Sequence, residues 1–267
     1  MKAIVDINVA ERNGISYLKK AYCTSPFKIM DITELKTEGK LNLMLMNASP
    51  GILDGNHYEM NIDIDAGVDL QIQTQAYQRI FQMKTGASQN MKVSMAANAS
   101  FCYLPHPTVP HGQSSFIAIN DFYLENNCRF VFGEILTCGR KLNQEVFLLS
   151  KYQSISRLFV NNKLLIKENL LMKPSLIPVA AIGQLEGFTH QACIILVHIG
   201  FQLSTIQQEL VALLSAEKNI EFGISSTPLN GLIIRMLGNG AEQLFNCLKQ
   251  VNQIFQQASY KKSVYAN

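Results

Sequence analysis

A mainly β protein of the α+β class is what the chain predicts, and three observations predict it. From about Leu41 to Phe159 apolar side chains recur with a period of two, the spacing that gathers them on one face of a strand. Turn residues interrupt that stretch at intervals of roughly ten, as in a sandwich, a barrel or a β-helical stack of short strands. Past about Ile177 the pattern changes to strand, helix, strand, strand, helix, so a C-terminal β-α-β-β-α portion carries two helices. No fixed-length repeat is visible, which disfavours a regular solenoid.

Taken in order, Leu41, Leu43 and Leu45 alternate with Asn42 and Met44, then Met60, Ile62 and Ile64 with Asn61 and Asp63, then Val68, Leu70 and Ile72 with Asp69 and Gln71. Each run is a strand with one buried face. Ala66-Gly67 is a tight turn between two of them, and Gly55-Asn56, Gly86 and Asn126-Asn127 punctuate likewise. Ala192 to His198 is predominantly apolar and reads as a buried strand. Ser204 with Gln207 forms a capping box ahead of a helix whose Ile206, Leu210, Leu213 and Leu214 share a face. Strands over 221–225 and 231–237 follow, and Asn239 with Glu242 repeats the capping signature before Leu244, Phe245, Leu248, Val251 and Phe255. Asn161 to Lys163 and the Pro174 to Pro178 stretch mark the change of grammar. The division is therefore 1–175, strand-rich, and 176–267, α+β, packed as one compact unit.

Hydrophobic residues make up 48% of the 267 and charged residues only 16%, against about 25% for an average soluble domain. So thinly charged a surface needs a partner to cover it. The balance of 23 basic to 20 acidic residues offers no basic cluster for a run of phosphates, which excludes nucleic acid as a ligand. The acid at Asp6 and the Glu11-Arg12 pair interrupt any signal-peptide core. The longest apolar run, 192–201 with His198 and Gly200 in it, is half the ~20 residues of a membrane helix. A cytoplasmic chain away from membranes is expected, with its six scattered cysteines buried as thiols.

Chemistry-bearing motifs are few. Gly238-Asn239-Gly240 lacks the third glycine of a dinucleotide loop, Gln243 standing there, and reads as a capped turn. Asp63-Ile64-Asp65-Ala66-Gly67 lacks the third acid of a calcium loop. Leu104-Pro105-His106-Pro107-Thr108-Val109-Pro110-His111 holds two imidazoles able to ligate a metal, or facing solvent where the prolines block a sheet edge. Glu134 and Arg140 end a strand six residues apart. An even spacing puts both on one face, as a buried pair or as a salt bridge at the rim. No nucleophile elbow, Walker loop or HExxH occurs.

The order of short segments carries more. Ser25-Pro26-Phe27-Lys28, Ser49-Pro50-Gly51 with Gly55, Thr74-Gln75-Ala76, Ala87 with Gln89, Leu104-Pro105 with Pro107 and Pro110, and Glu134 through Gly139-Arg140 to Glu145 and Phe147 together resemble the urease accessory proteins called UreD or UreH. The likeness continues through Glu186 to His190 and Leu232 to Leu237, and so spans nearly the whole chain. It implies a β-helical arrangement of strands with two helices near the C-terminus. It also implies a scaffold rather than an enzyme, one that binds apo-urease with UreF and UreG and helps deliver nickel to the urease centre. A homodimer within that complex is compatible with it. No cofactor is held tightly; nickel passes through, by a water-filled tunnel in the family.

Residue by residue, Glu134 and Arg140 match the family's acid and its glycine-arginine pair. Glu168 matches a further acid, and Asp63 is a candidate by spacing; Glu134, Glu168 and Asp63 are the expected nickel contacts. Asn56 stands where relatives have aspartate, His111 replaces an aromatic, and Gln144 replaces a glycine. Carboxylates hold a divalent ion more loosely than clustered thiolates or imidazoles, which suits transit. Two other classes stand beside this one: a metal-dependent hydrolase or lyase, for which Asp63, Asp65, His106 and His111 would have to converge, and a self-assembling structural module.

Overall fold

A computed structural model of the chain describes residues 1–35, 39–201, 203–228 and 231–265, the side chains of the last helix as far as residue 258. In chain order the strands are β1 (Lys2–Arg12), β2 (Ile15–Cys23), β3 (Phe27–Asp31), β4 (Lys40–Asn47), β5 (His57–Ile64), β6 (Asp69–Thr74), β7 (Gln78–Ile80), β8 (Ala87–Met95) and β9 (Ser100–Tyr103). Then come β10 (Thr108–Pro110), β11 (Ser115–Leu124), β12 (Arg129–Thr137), β13 (Lys151–Val160), β14 (Lys163–Met172) and β15 (His190–His198). The chain closes with α1 (Ser204–Ser215), β16 (Glu221–Ser226), β17 (Leu232–Gly238) and α2 (Ala241–Tyr265).

Two sheets hold these strands. One runs β14-β13-β11-β8-β5-β1-β2; the other runs β16-β17-β15-β12-β9-β6-β4-β3, with β10 and β7 beside β12. From β4 to β13 the chain crosses between the sheets and returns one strand further along each time. The resulting neighbours, β5 on β8, β8 on β11, β11 on β13 and likewise β4, β6, β9 and β12, are all parallel. The crossings stack at their corners. Asn98, Asn127 and Asn161 hold positive φ angles, which asparagine tolerates better than other side chains. The Asn127 amide donates to Asn98 Oδ1 at 3.2 Å, and the Asn161 amide to Asn126 Oδ1 at 3.1 Å.

One core lies between the sheets, built from the alternating residues Leu41, Leu43, Met60, Ile62, Leu70 and Ile72 among others. A second lies on the far face of the larger sheet, where Val131, Ile135, Ile194 and Ile234 meet Ile206, Leu210, Leu214, Leu244, Leu248 and Phe255. β15 serves both cores, hence its unbroken apolar run. Gly133 has no Cβ to give, and its place is filled by Leu104 and by Leu248 of α2.

The mainly β, α+β expectation and the C-terminal order both hold. Strands already begin at Lys2, where Ala3, Val5, Ile7 and Val9 alternate on the buried face. Three local expectations do not hold. Asn161-Asn162 forms the turn between the paired strands β13 and β14 and so bounds nothing, whereas residues 173–189 lead from one sheet to the other. Ser204 opens α1 from inside: Leu203 is the cap residue and no side chain caps it, because the chain before it already has helical torsions. Asn239 Oδ1 accepts from the Thr189 backbone and hydroxyl, and Glu242 accepts from Tyr77. Tertiary partners have taken both side chains from local capping.

Candidate functional site

Segments distant in sequence meet at one end of the larger sheet. Ser49, Pro50 and Gly51 follow β4, Thr74 ends β6 with Gln75 just after it, Gln89 lies on β8 and Pro105 follows β9; all line one cavity of about 320 Å³. Gly51 is forced, since a Cβ there would lie 2.4 Å from the Arg79 carbonyl. The Ser49 hydroxyl donates to the Gly51 carbonyl at 2.7 Å, and Thr74 Oγ1 accepts the His106 N–H at 2.9 Å. Pro107 accepts the Gln78 N–H at 3.1 Å. The wall is neutral apart from Arg79, with carboxamides, hydroxyls and the His106 imidazole among rings.

Gly139, Arg140 and Glu145 form a separate knot. β12 ends at Thr137, so strand alternation stops before Arg140, and the expected pair with Glu134 does not form. Arg140 instead grips Glu145, with Nε to Oε2 at 2.9 Å and a second contact through its other nitrogen, while Glu145 Oε2 accepts the Gly112 N–H at 3.1 Å. The guanidinium and then the Gly112 amide hold the Glu145 carboxyl down at about 2. Gly139 has φ +111, and a Cβ there would lie 2.8 Å from both the Glu145 and Pro110 carbonyl oxygens.

Glu134, freed of Arg140, faces inward across a gap between the sheets. Register places Glu134 opposite Cys193 and Cys193 opposite Arg235, a row across β12, β15 and β17. On the other sheet Asn120, Ser156 and Glu168 form the matching row across β11, β13 and β14. Arg235 ion-pairs with Glu168, joining the two rows. Glu134, Glu168, Cys193 and Arg235 line a second cavity of about 320 Å³. The surface Glu134 keeps opens onto that cavity, and the protein packed around it removes water. Burial raises its carboxyl to about 7, the Ser154 hydroxyl opposing and the nearby Glu168 charge adding to the rise. Burial, then Glu134 and Glu168, push the Cys193 thiol up as well.

A run of polar side chains links a residue of one cavity to a residue of the other. Thr108 Oγ1 donates to Gln78 of the first cavity at 3.4 Å. The Tyr152 hydroxyl lies against Thr108 and Ser154, and Ser154 reaches Glu134.

The remaining candidates lie elsewhere. Asp63 is on the outward face of β5, held by the Asn8 amide at 3.0 Å, and lines an open bowl with Asp65 and Glu125. Asn56 is buried and braces its turn, accepting from Leu53 N–H at 2.8 Å and the Tyr58 hydroxyl at 2.9 Å. His106 packs on Phe245 and His111 on Phe81, each at 4.7 Å between ring centres, so neither imidazole stands in solvent. Burial lowers both imidazole pKa values. Among the described residues no three of His, Cys, Asp and Glu gather as a metal cluster. Asp63, Asp65, His106 and His111 therefore do not make a hydrolase site. Sequence reasoning missed Cys193, Arg235, Tyr152 and Ser154. Two signals existed: an arginine inside the apolar strand Leu232–Gly238, and serines on the buried parity of β13. All described cysteines are free thiols, four of them buried.

Comparison with known proteins gives one answer along the chain. A family model described as UreD urease accessory protein matches residues 1–266. A urease accessory protein UreD of Flavobacterium johnsoniae is 48% identical over 243 residues, covering 91% of this chain and 88% of that relative. One from Acetivibrio thermocellus is 33% identical with 91% and 92% coverage. One from Actinobacillus pleuropneumoniae is 28% identical with 92% and 94% coverage.

Proposed function

Because the chain belongs to the UreD family of urease accessory proteins, we propose that it is a scaffold and chaperone that binds apo-urease together with UreF and UreG in the cytoplasm and assists nickel insertion into the urease active site. The family is an accessory one, and a non-catalytic role follows for this chain. The observation that carries the nickel reading is the pair of polar rows, Glu134-Cys193-Arg235 and Asn120-Ser156-Glu168, set inside a largely apolar double sheet.

Polar side chains in such a gap destabilise the core unless satisfied, so their concentration in one register asks for a use. A hydrated divalent ion fits the chemistry. Carboxamides and hydroxyls of the first cavity bind its water shell without stripping it; the Gln78-Thr108-Tyr152-Ser154 seam leads on to Glu134, which meets the ion as a hard oxygen donor. Glu134 must lose its proton to bind, so capture is linked to proton release near neutrality. A ligand of that kind binds and lets go, as transit requires. No described helix is long and apolar enough to cross a membrane.

The test is co-expression with UreF, UreG and apo-urease, followed by size-exclusion chromatography and urease assay over a nickel series. We expect Glu134→Gln to co-elute as the wild type does and to lower activation at limiting nickel by about tenfold, the loss of one good ligand interaction. Normal activation by Glu134→Gln would end the transit reading. Activation that persists when the chain is omitted would end the scaffold reading.

A further inference from the structure

Glu168 does not face the second cavity bare. Its carboxylate is taken by the Arg235 guanidinium, the two reaching toward each other from β14 of one sheet and β17 of the other. Arg235 is an unusual residue for its strand. Its neighbours Ile233, Ile234 and Met236 are buried apolar side chains, and its backbone is fixed on both sides, opposite Cys193 on β15 and opposite Gly223 on β16. Only the side chain is left to move. About half of it is in solvent already, 52% against 22% for Glu168, so the guanidinium sits at the mouth and the carboxylate within. Gly223 beside it has nothing within 4 Å of where a Cβ would be, leaving open space into which the arginine can swing.

We propose that Arg235 is a displaceable counter-ion for the cargo site. A divalent cation engages Glu168 only by turning the guanidinium out to solvent, and the guanidinium returns to Glu168 as the ion leaves. This rests on the reading of the cavity as a cation path. The physical ground is that one carboxylate cannot serve a guanidinium and a dication at one distance without the two cations repelling each other. The exchange keeps the charge at Glu168 balanced before and after passage, which an uncompensated buried carboxylate would not. It also makes Arg235 a determinant of release rather than a ligand.

The experiment uses the complex purified with UreF and UreG and titrates it with nickel(II). It reads the dissociation constant at equilibrium and the release rate after mixing with excess chelator. Arg235→Gln is expected to bind at least tenfold tighter and release at least tenfold more slowly. Arg235→Lys, a smaller change that keeps the charge but loses the planar fork, should fall between it and the wild type and decides the matter if the glutamine variant does not fold. Adding Glu168→Gln to Arg235→Gln should abolish the tighter binding. Wild-type affinity and release in both Arg235 variants, with binding weakened in Glu134→Gln, would overturn the counter-ion and leave the path. Binding unchanged by Glu134→Gln and by Glu168→Gln would overturn both.

Discussion

At the scale of single residues, several side chains do something other than their type suggests. Arg140, the family-matching arginine, touches no cavity acid; with Gly139 and Glu145 it ties the end of β12 to the Pro110–Gly112 turn. Gly139→Ala is therefore expected to act on stability. It sets a Cβ against two carbonyl oxygens at a φ that L residues avoid, a cost of about 1–3 kcal/mol, readable as a lower urea midpoint with unchanged slope. His190 gives a pH signature. Burial first, then the Lys141 charge, lowers its pKa from 6.5 to about 4, so the folded chain prefers the neutral ring. Its contribution is complete above pH 6.5 and is lost as pH falls toward 4, where the unfolded chain takes the proton first. We expect a urea-midpoint profile that declines across that window, with the decline flattened in His190→Gln. A His190→Gln profile as steep as the wild type's would refute the assignment.

At the scale of elements, the apolar face of α2 seats it on the larger sheet, with Glu242 and Gln243 adding hydrogen bonds to Tyr77, Glu217 and Lys218. Leu248 is 0% exposed and fills the space that Gly133 leaves on β12. Leu248→Ala should cost about 2–5 kcal/mol, measured by urea unfolding of the purified chain. This is also the scale at which the sequence was most legible. The runs at Leu41, Met60, Leu70 and Ala192 and both helical faces emerged as read, because period and burial are local consequences of backbone geometry. The capping signatures failed for two reasons: at Ser204 the preceding Leu203 already has helical torsions, and at Asn239 and Glu242 tertiary partners outweigh a local signature worth about 1 kcal/mol. The cavity was illegible for another reason. Glu134, Cys193 and Arg235 are neighbours only through strand register, and no spacing along the chain encodes which strands become adjacent.

At the scale of the whole molecule, the larger sheet is shared. Its inner face closes the first core, its outer face seats both helices, and β15, β17 and β16 extend it beyond β12. Residues 1–175 produced alone would leave Val131, Ile135 and the open edge of β12 in water, an apolar face beside unpaired backbone. We expect that fragment to aggregate on expression; a soluble, monomeric fragment would count against a single cooperative unit. The winding from β4 to β13 has a different corollary. Each circuit rests on the one before it through matched strands and the asparagine corners, so length along the coil is counted in whole circuits. An inserted loop at a corner lengthens one circuit and leaves the others in step, whereas one residue added within a strand turns every later side chain of that strand to the opposite face. Room for an inserted residue is thus confined to the bends, and the spacing between the ends of the coil is a quantity set in integers.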